Sequence, residues 1–233
     1  MATGETTRHR ITTALRAKRS GIIAGYPWTE AEVRADSPEQ RTEWLHDQRR
    51  CLAALFDPSD IIWCGDTYQS GQDGRHAACW QSVNAWQEGP EETAGPLVTP
   101  ATWHPGTVSR SGVNVATAPF LVLDFDGFDG KAPTTPEELR QHIAASLAIT
   151  RWLRVALEWR LAALLFTGSK SLHAWFHMPP RAALESLKAI APTLGVDTAL
   201  IGRPEHPCRL PGWPHPKTGQ LSRLLWLQRL DGF

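Results

Sequence analysis

The stretch that decides the fold is Pro119-Phe-Leu-Val-Leu-Asp124-Phe-Asp126-Gly-Phe-Asp129-Gly130. An apolar run ends in two carboxylates two residues apart, then in glycine. Side chains alternate faces along a β-strand, so a strand here points Asp124 and Asp126 the same way, with Cα atoms about 7 Å apart. Phe120 and Val122 share that face; Leu121 and Leu123 take the other. Carboxylates at the end of a buried strand are costly unless a cation or a partner compensates them. Oxygen donors suit Mg²⁺ or Mn²⁺, so the pair reads as a candidate metal site. A turn with solvated Asp side chains is the plain alternative, and the surrounding chain weighs between the two.

Downstream, Thr135-Pro136-Glu137-Glu138 is a capping box with proline at the first helical position. The helix it opens is predicted to run to about Trp159, with Ile143, Leu147, Trp152, Leu153 and Leu157 at helical spacing. Leu161 to Phe166 reads as a buried strand, Thr167-Gly-Ser-Lys170 as a turn, and Ser171 to His177 as an alternating strand. Pro179-Pro180 starts a helix to about Leu194. Asp197 follows it. Arg209-Leu-Pro-Gly212 opens a Pro/Gly-rich loop to Gly219, and Leu221 to Leu227 is the last strand.

The order from Phe120 onward is β-α-β-β-α-β, the split βαβ plan shared with RNA-recognition (RRM-like) domains. The fold class expected is therefore α+β. That plan makes the first and third strands antiparallel neighbours at the sheet centre. Asp124 and Asp126 are then expected to face Ser171 and His173.

Upstream, residues 5–19 are polar and basic, a helix or an arm, and Gly21 to Trp28 reads as a turn-rich link. Ser37-Pro-Glu-Gln40 looks like a second capping box, opening a helix to about Phe56 with Trp44, Leu45, Cys51, Leu52 and Leu55 inward. Ile61 to Cys64 is a short strand, Gly65 to Gly74 a loop, and Ala77 to Trp86 a second strand. Gly89 to Gly95 is rich in breakers. Leu97 to Val115 reads as irregular, and its Ser109-Arg110-Ser111 offers a candidate phosphate contact at Arg110. The domains expected are an N-terminal helical segment, 1–56, and a catalytic core, 57–233. The core divides into an α/β part, 57–118, and the RRM-like part, 119–233, the whole forming one unit.

The 233 residues suffice for one large domain. The start carries no apolar signal core and no run is long enough to span a bilayer, so a cytoplasmic protein is expected. Four cysteines form no C-x-x-C pair, which argues for reduced thiols and against zinc. Net charge is zero, but Arg8, Arg10, Arg16, Lys18 and Arg19 crowd the first twenty residues. The last 53 residues carry seven basic side chains against four acidic ones. This distribution permits a local phosphate-binding face without requiring one.

Several residues near the strand ends can carry chemistry. Thr167-Gly-Ser-Lys170-Ser171 offers backbone N–H groups, hydroxyls and an ammonium to a phosphate, although it lacks the G-x-x-x-x-G-K-[ST] spacing. His173 shares a face with Ser171 and Trp175. Asp197 is a possible third carboxylate. Arg209 and Lys217 bracket the Pro-Gly loop, a rigid frame for two cations.

Three groups of residues carry a resemblance: Leu-Asp124-Phe-Asp126, Thr167-Gly-Ser-Lys-Ser171-Leu-His173, and Val-Asp197 followed by Cys-Arg209-Leu-Pro-Gly. They resemble the three motifs of the archaeo-eukaryotic primase (AEP) superfamily: a D-x-D/E metal pair, an S-x-H nucleotide motif and a hydrophobic-Asp carboxylate. The closest likeness is to primase-polymerase (PrimPol) catalytic domains of phage, plasmid and mobile-element replication proteins, over roughly residues 60–228. The resemblance implies a Mg²⁺- or Mn²⁺-dependent nucleotidyltransferase, a DNA primase or polymerase working by a two-metal mechanism. Asp124, Asp126 and Asp197 would be catalytic metal ligands. Lys170, Ser171, His173, Arg209 and Lys217 would bind the nucleotide. The partners implied are a DNA template and primer and an NTP or dNTP, with room for a helicase or helicase domain. No zinc module and no helical initiation domain are recognisable, which separates primer extension from primer initiation.

Two other readings compete. Phe-Leu-Val-Leu-Asp124-Phe-Asp126-Gly also resembles the first motif of haloacid-dehalogenase (HAD)-like phosphatases, with Asp124 as nucleophile and Asp126 as acid/base. That fold is a doubly wound sheet, and only about one hundred residues follow the motif. A non-catalytic nucleotide- or single-strand-binding domain would instead present aromatics on an open sheet face. Here that face carries carboxylates, which repel phosphate.

Overall fold

The computed structural model describes residues 13–40, 47–66, 79–90 and 94–228. The fold is α+β, with two antiparallel sheets and a group of helices at the N-terminal end of the described residues. Three helices come first: α1 (Thr13–Gly25), α2 (Glu30–Ala35) and α3 (Asp47–Leu55). Then follow β1 (Ile61–Gly65), β2 (Trp80–Ser82), α4 (Val83–Glu88), β3 (Leu97–Trp103) and β4 (Val115–Thr117). The second half contains β5 (Phe120–Phe125), α5 (Pro136–Ala156), β6 (Leu161–Phe166), β7 (Leu172–His177), α6 (Arg181–Ile190), β8 (Cys208–Arg209) and β9 (Arg223–Leu227).

The expected elements downstream of Pro119 form. Thr135 caps α5 reciprocally with Glu138, and proline follows the cap. Strands β5 and β7 are antiparallel neighbours, with Asp124 opposite His173. The sheet order is β5-β7-β6-β9, so the central placement expected of β5 is corrected: β5 lies at the sheet's end and β9 pairs with β6. The loop before β9 explains this. Trp213 Nε1 donates to the Ala94 carbonyl and Thr218 Oγ1 to the Gly168 carbonyl, which delivers β9 beside the end of β6.

Several upstream expectations are corrected. The turn-rich link from Gly21 to Trp28 is helical through Gly25, and α2 follows it with a Thr29–Glu32 capping box. Ser37 caps no helix. Its buried hydroxyl accepts from Leu227 N (3.1 Å) and donates to the Glu39 carbonyl (3.0 Å), tying the chain to β9. Of the expected strand from Ala77 to Trp86, Ala77 and Ala78 lie outside the described residues; among those described, Trp80–Ser82 is strand and the chain then turns helical. The region read as irregular contains β3, fully buried, with Pro100 where the register between β1 and β3 shifts. At such an irregularity proline's missing N–H costs no ladder bond. Helix α5 stops at Ala156 rather than near Trp159, and Glu158 takes a positive φ of 54°. Helix α6 ends at Ile190, and the residues to Leu194 form a 3-10 turn. The expected helical positions Trp44 and Leu45, most of the Gly65 to Gly74 loop, and residues 5–12 lie outside the described residues.

Each face of the β5-β7-β6-β9 sheet is buried. Leu121, Leu123, Phe125, Leu164 and Phe176 pack with α1, α5 and α6. Phe120, Val122, Leu165 and Trp175 pack with α3 and the first sheet. The open aromatic face required by the single-strand-binding reading is therefore covered. Every strand pairing among the described residues is antiparallel, which excludes the doubly wound parallel sheet that the phosphatase reading needs. Strand β8, from the second half of the chain, pairs with β3 of the first, so the two expected parts of the core share a sheet. No described helix is long and apolar enough to cross a membrane.

Helix α2 is fixed to β9 by Glu30, which pairs with Arg34 within the helix and with Arg223 across to the strand (3.0 Å). Burial raises the Glu30 pKa, but the hydrogen bonds and charges of the two arginines outweigh it and hold the carboxyl below the usual glutamate value. A depressed folded pKa adds stability above the unfolded value and loses it as pH falls through the folded one. Glu30→Gln should therefore flatten the acid side of the stability profile below about pH 4.5. Urea unfolding across a pH series measures this; parallel profiles for the two proteins would show that the pairs add nothing.

Candidate active site

Strand β5 ends at the edge of the second sheet, where a second segment joins it. Phe125 bridges Val196, Asp197 N donates to the Asp124 carbonyl (2.8 Å), and Asp126 N donates to the Gly195 carbonyl (3.1 Å). The same antiparallel register sets Asp197 opposite Asp124. On the other side of β5, His173 is opposite Asp124. Residues opposed in this way leave the same face, with Cβ atoms about 4.5–5.5 Å apart. His173, Asp124 and Asp197 thus form one row across three chain segments.

The row is completed by the turn between β6 and β7. Lys170 Nζ lies 2.8 Å from Asp126 Oδ1, and His173 Nε2 lies 3.6 Å from Asp124 Oδ1. The second contact is longer than an ordinary hydrogen bond. Thr167 Oγ1 donates to the Ser171 carbonyl (3.0 Å), which closes the turn. Asp126, Lys170, Gly195, Asp197 and Thr198 line a cavity of about 390 Å³.

The electrostatics separate the carboxylates. Burial pushes the Asp124 pKa up, but the charge of His173, the Ser171 hydroxyl and the Lys170 ammonium more than offset it, and the group is held below the usual aspartate value. Asp124 is thus an anion in a mostly buried place, and its Oδ1 has no hydrogen-bond partner among the described residues. Asp126 is more open, with its side chain 47% exposed. Asp197 is exposed, and its Oδ1 accepts from Ala199 N (2.9 Å). Among the described residues, no group of three or more His, Cys, Asp or Glu is close enough to hold a metal. The donor chemistry nonetheless fits a hard cation: three carboxylates, one with an unsatisfied buried oxygen, beside a lysine already serving as counter-charge.

Of the residues singled out in the sequence, Asp124, Asp126, Asp197, Lys170, Ser171 and His173 come together. Three others stand apart from that group. Arg209 is opposite Leu97 in the sheet and Cys208 is opposite Val98, so adjacent side chains leave opposite faces. Burial and the charge of Asp124 push the Cys208 thiol well up. Arg209 is buried and its Nε has no hydrogen-bond partner among the described residues. Lys217 is exposed on the loop before β9, where its backbone N–H donates to His215 Nδ1. Arg110 is 2% exposed and stacks its guanidinium 4.2 Å from the centre of the Trp63 ring.

Two histidines were not found from the sequence. His142 on α5 is buried, and its Nε2–H donates to the carbonyl of Phe125 (2.9 Å), the residue between Asp124 and Asp126. His206 is half-buried. Burial and the charges of Arg203 and Arg110 push its pKa down, while Glu205 and Asp197 oppose them. Neither belongs to a local motif; only the tertiary fold brings them to the site.

No family model matches the chain. No curated protein matches it. Among solved structures it is similar to the AEP domain of the primase-polymerase of cyanophage S-2L. That match has 17% identity and a TM-score of 0.43, over 76% of this chain and 87% of that one. It is also similar to the polymerase domain of Mycobacterium tuberculosis ligase D in complex with DNA, with 17% identity and a TM-score of 0.37, over 89% of this chain and 78% of that one.

Proposed function

We propose that the chain is a metal-dependent nucleotidyltransferase, a DNA primase or polymerase that makes or extends primers from NTPs or dNTPs on a DNA template. The observation that carries this reading is the pairing register, which lines up His173, Asp124 and Asp197 with Lys170 on Asp126 beside them. Asp124, Asp126, Lys170, Ser171, His173 and Asp197, from the three sequence motifs that resemble those of the AEP superfamily, thereby come to one sheet edge.

In this reading Asp124, Asp126 and Asp197 hold Mg²⁺ or Mn²⁺. Such ions, when bound, lower the pKa of the attacking hydroxyl and stabilise charge developing on the phosphate. The reaction forms a bond from a primer 3′-hydroxyl to the nucleotide α-phosphorus and breaks the bond to pyrophosphate. His173 and Ser171 contact the phosphates from the β7 side. Lys170 leaves Asp126 and binds the triphosphate, so one ammonium balances the carboxylates before the nucleotide arrives and the leaving group afterwards. Arg209 has an unmet hydrogen-bond donor to offer an anion, and Lys217 adds charge at the edge. Arg110, held against Trp63, adds positive potential.

Extension of a labelled primer on a DNA template, with Mn²⁺ or Mg²⁺ and each nucleotide type, tests the proposal. Template-dependent products support it, and their absence under all these conditions removes it. Within the same assay, His173→Ala should raise the nucleotide KM about ten-fold or more, the loss of one charge-assisted phosphate contact. Template affinity, followed by fluorescence anisotropy of labelled DNA, should stay within about two-fold. The reverse pattern would place His173 against DNA rather than nucleotide.

A further inference from the structure

We infer that Arg19, on α1 and remote in sequence from every motif, is a positioning residue that clamps together the two segments carrying the three carboxylates. This rests on the reading of Asp124, Asp126 and Asp197 as metal ligands. Arg19 Nη1 donates to Asp129 Oδ1 (2.8 Å), three residues beyond Asp126, and to the Thr193 carbonyl (3.0 Å), four residues before Asp197. Its guanidinium also lies over the Phe128 ring, 5.0 Å from the centre. One side chain thus touches both flanks of the site.

The ring beneath Arg19 continues the clamp. Gly195 has φ +77°, and a Cβ there would fall 2.7 Å from the Phe128 ring, so the ring rests directly on the Gly195 backbone. The Gly195 carbonyl accepts from Asp126 N. Arg19 therefore presses Phe128 onto the peptide that pairs with the carboxylate strand, while holding Asp129 and Thr193 in place. The Arg19 side chain is 15% exposed, against 52% for Arg16, which also bonds Asp129 at 3.0 Å. A planar fork shielded from water can hold two acceptors in fixed geometry, whereas an exposed pair contributes little. Three carboxylates on one sheet edge repel each other without a cation. A rigid backbone frame keeps them converged at the cost of that repulsion, which is how residues behind a metal's ligands tune its affinity.

The test is Mn²⁺ binding, followed by the spin-resonance signal of free Mn²⁺ without nucleotide or DNA. Arg19→Ala should weaken binding about ten-fold or more, while Arg16→Ala stays within about two-fold of wild type. Saturating Mn²⁺ should restore primer extension to Arg19→Ala, which a generally damaged fold would not allow. Wild-type Mn²⁺ affinity in Arg19→Ala, with Asp124→Asn strongly impaired, would overturn the clamp and leave the metal site standing. Wild-type affinity in Asp124→Asn would remove the metal site and the clamp with it. If Arg19→Ala does not melt cooperatively, Arg19→Lys decides: it keeps the charge but cannot hold both acceptors, so it should lose affinity too, and unchanged affinity overturns the clamp.

Discussion

Asp124→Asn is expected to abolish primer extension, by about a thousand-fold or more, while the protein keeps its fold. The size follows from what a carboxylate ligand supplies: several kcal/mol of stabilisation to charge forming on the phosphate, where about 4 kcal/mol is a thousand-fold in rate. The choice of Asp124 over its neighbours comes from burial. Its Oδ1 has no hydrogen-bond partner among the described residues, and it is flanked by His173 on one strand and by Asp197 on the other segment. Asp126 already has Lys170 and is half open to water, so its loss should cost less. The fold survives because Phe120, Val122 and Trp175, which pack the same sheet face, are untouched. Near-ultraviolet circular dichroism reports that packing through the tryptophans. Retained turnover in a folded Asp124→Asn would remove the claim that this carboxylate holds the metal.

The second half of the chain was legible because its signals are local. The strand β5 is an apolar run closed by Asp-x-Asp-Gly, α5 carries its own cap, and the β6–β7 turn is marked by glycine and serine. From these local signals the pairing of Asp124 with His173 can be read. The first half was less legible because its decisive contacts are distant. Ser37 has the sequence of a cap but spends its hydroxyl on Leu227, 190 residues away. Strand β3 is buried throughout, so it lacks the alternation that identifies a half-buried strand, and Pro100 makes it look broken. The site divides in the same way. Asp124, Asp126, Lys170 and His173 sit in short motifs, and their placement could be read. The position of Asp197 depends on the bridge between Phe125 and Val196, and His142, His206 and Arg19 reach the site only through the packing of other elements. The expectation of β5 at the sheet centre failed for a related reason: the anchoring of the last loop to Ala94 and Gly168 determines where β9 is laid down.

That anchoring makes Gly168 a sensitive position outside the carboxylates. It has φ +85°, and a Cβ there would lie 2.4 Å from the Gln220 carbonyl oxygen and 3.2 Å from His215 Cβ. The obstacle is backbone, fixed by Gly212 N to Ser222 O and His215 N to Gln220 O, so it cannot swing aside as a side-chain tip would. Gly168→Ala thus faces both the left-handed backbone penalty and a displaced loop, together about 3 kcal/mol. For a chain of this length that lowers the melting temperature by about 6–12 °C. The loss should reach the chemistry as well. Gly168 opens the turn that presents Lys170 to Asp126 and Ser171 to Asp124, so a shifted turn moves the nucleotide-binding side chains away from the carboxylates. The expected signature is a raised nucleotide KM in the fraction that stays folded, with Mn²⁺ binding near wild type because Asp124, Asp126 and Asp197 are held from the other side by Gly195 and Val196. Gly219→Ala is the matched control: φ is +71° there, but nothing lies within 4 Å of the added Cβ, so only the conformational part of the penalty applies. Equal melting temperatures for the two variants would show that the Gly168–Gln220 contact does not hold the turn, and the route from that loop to the site would be lost.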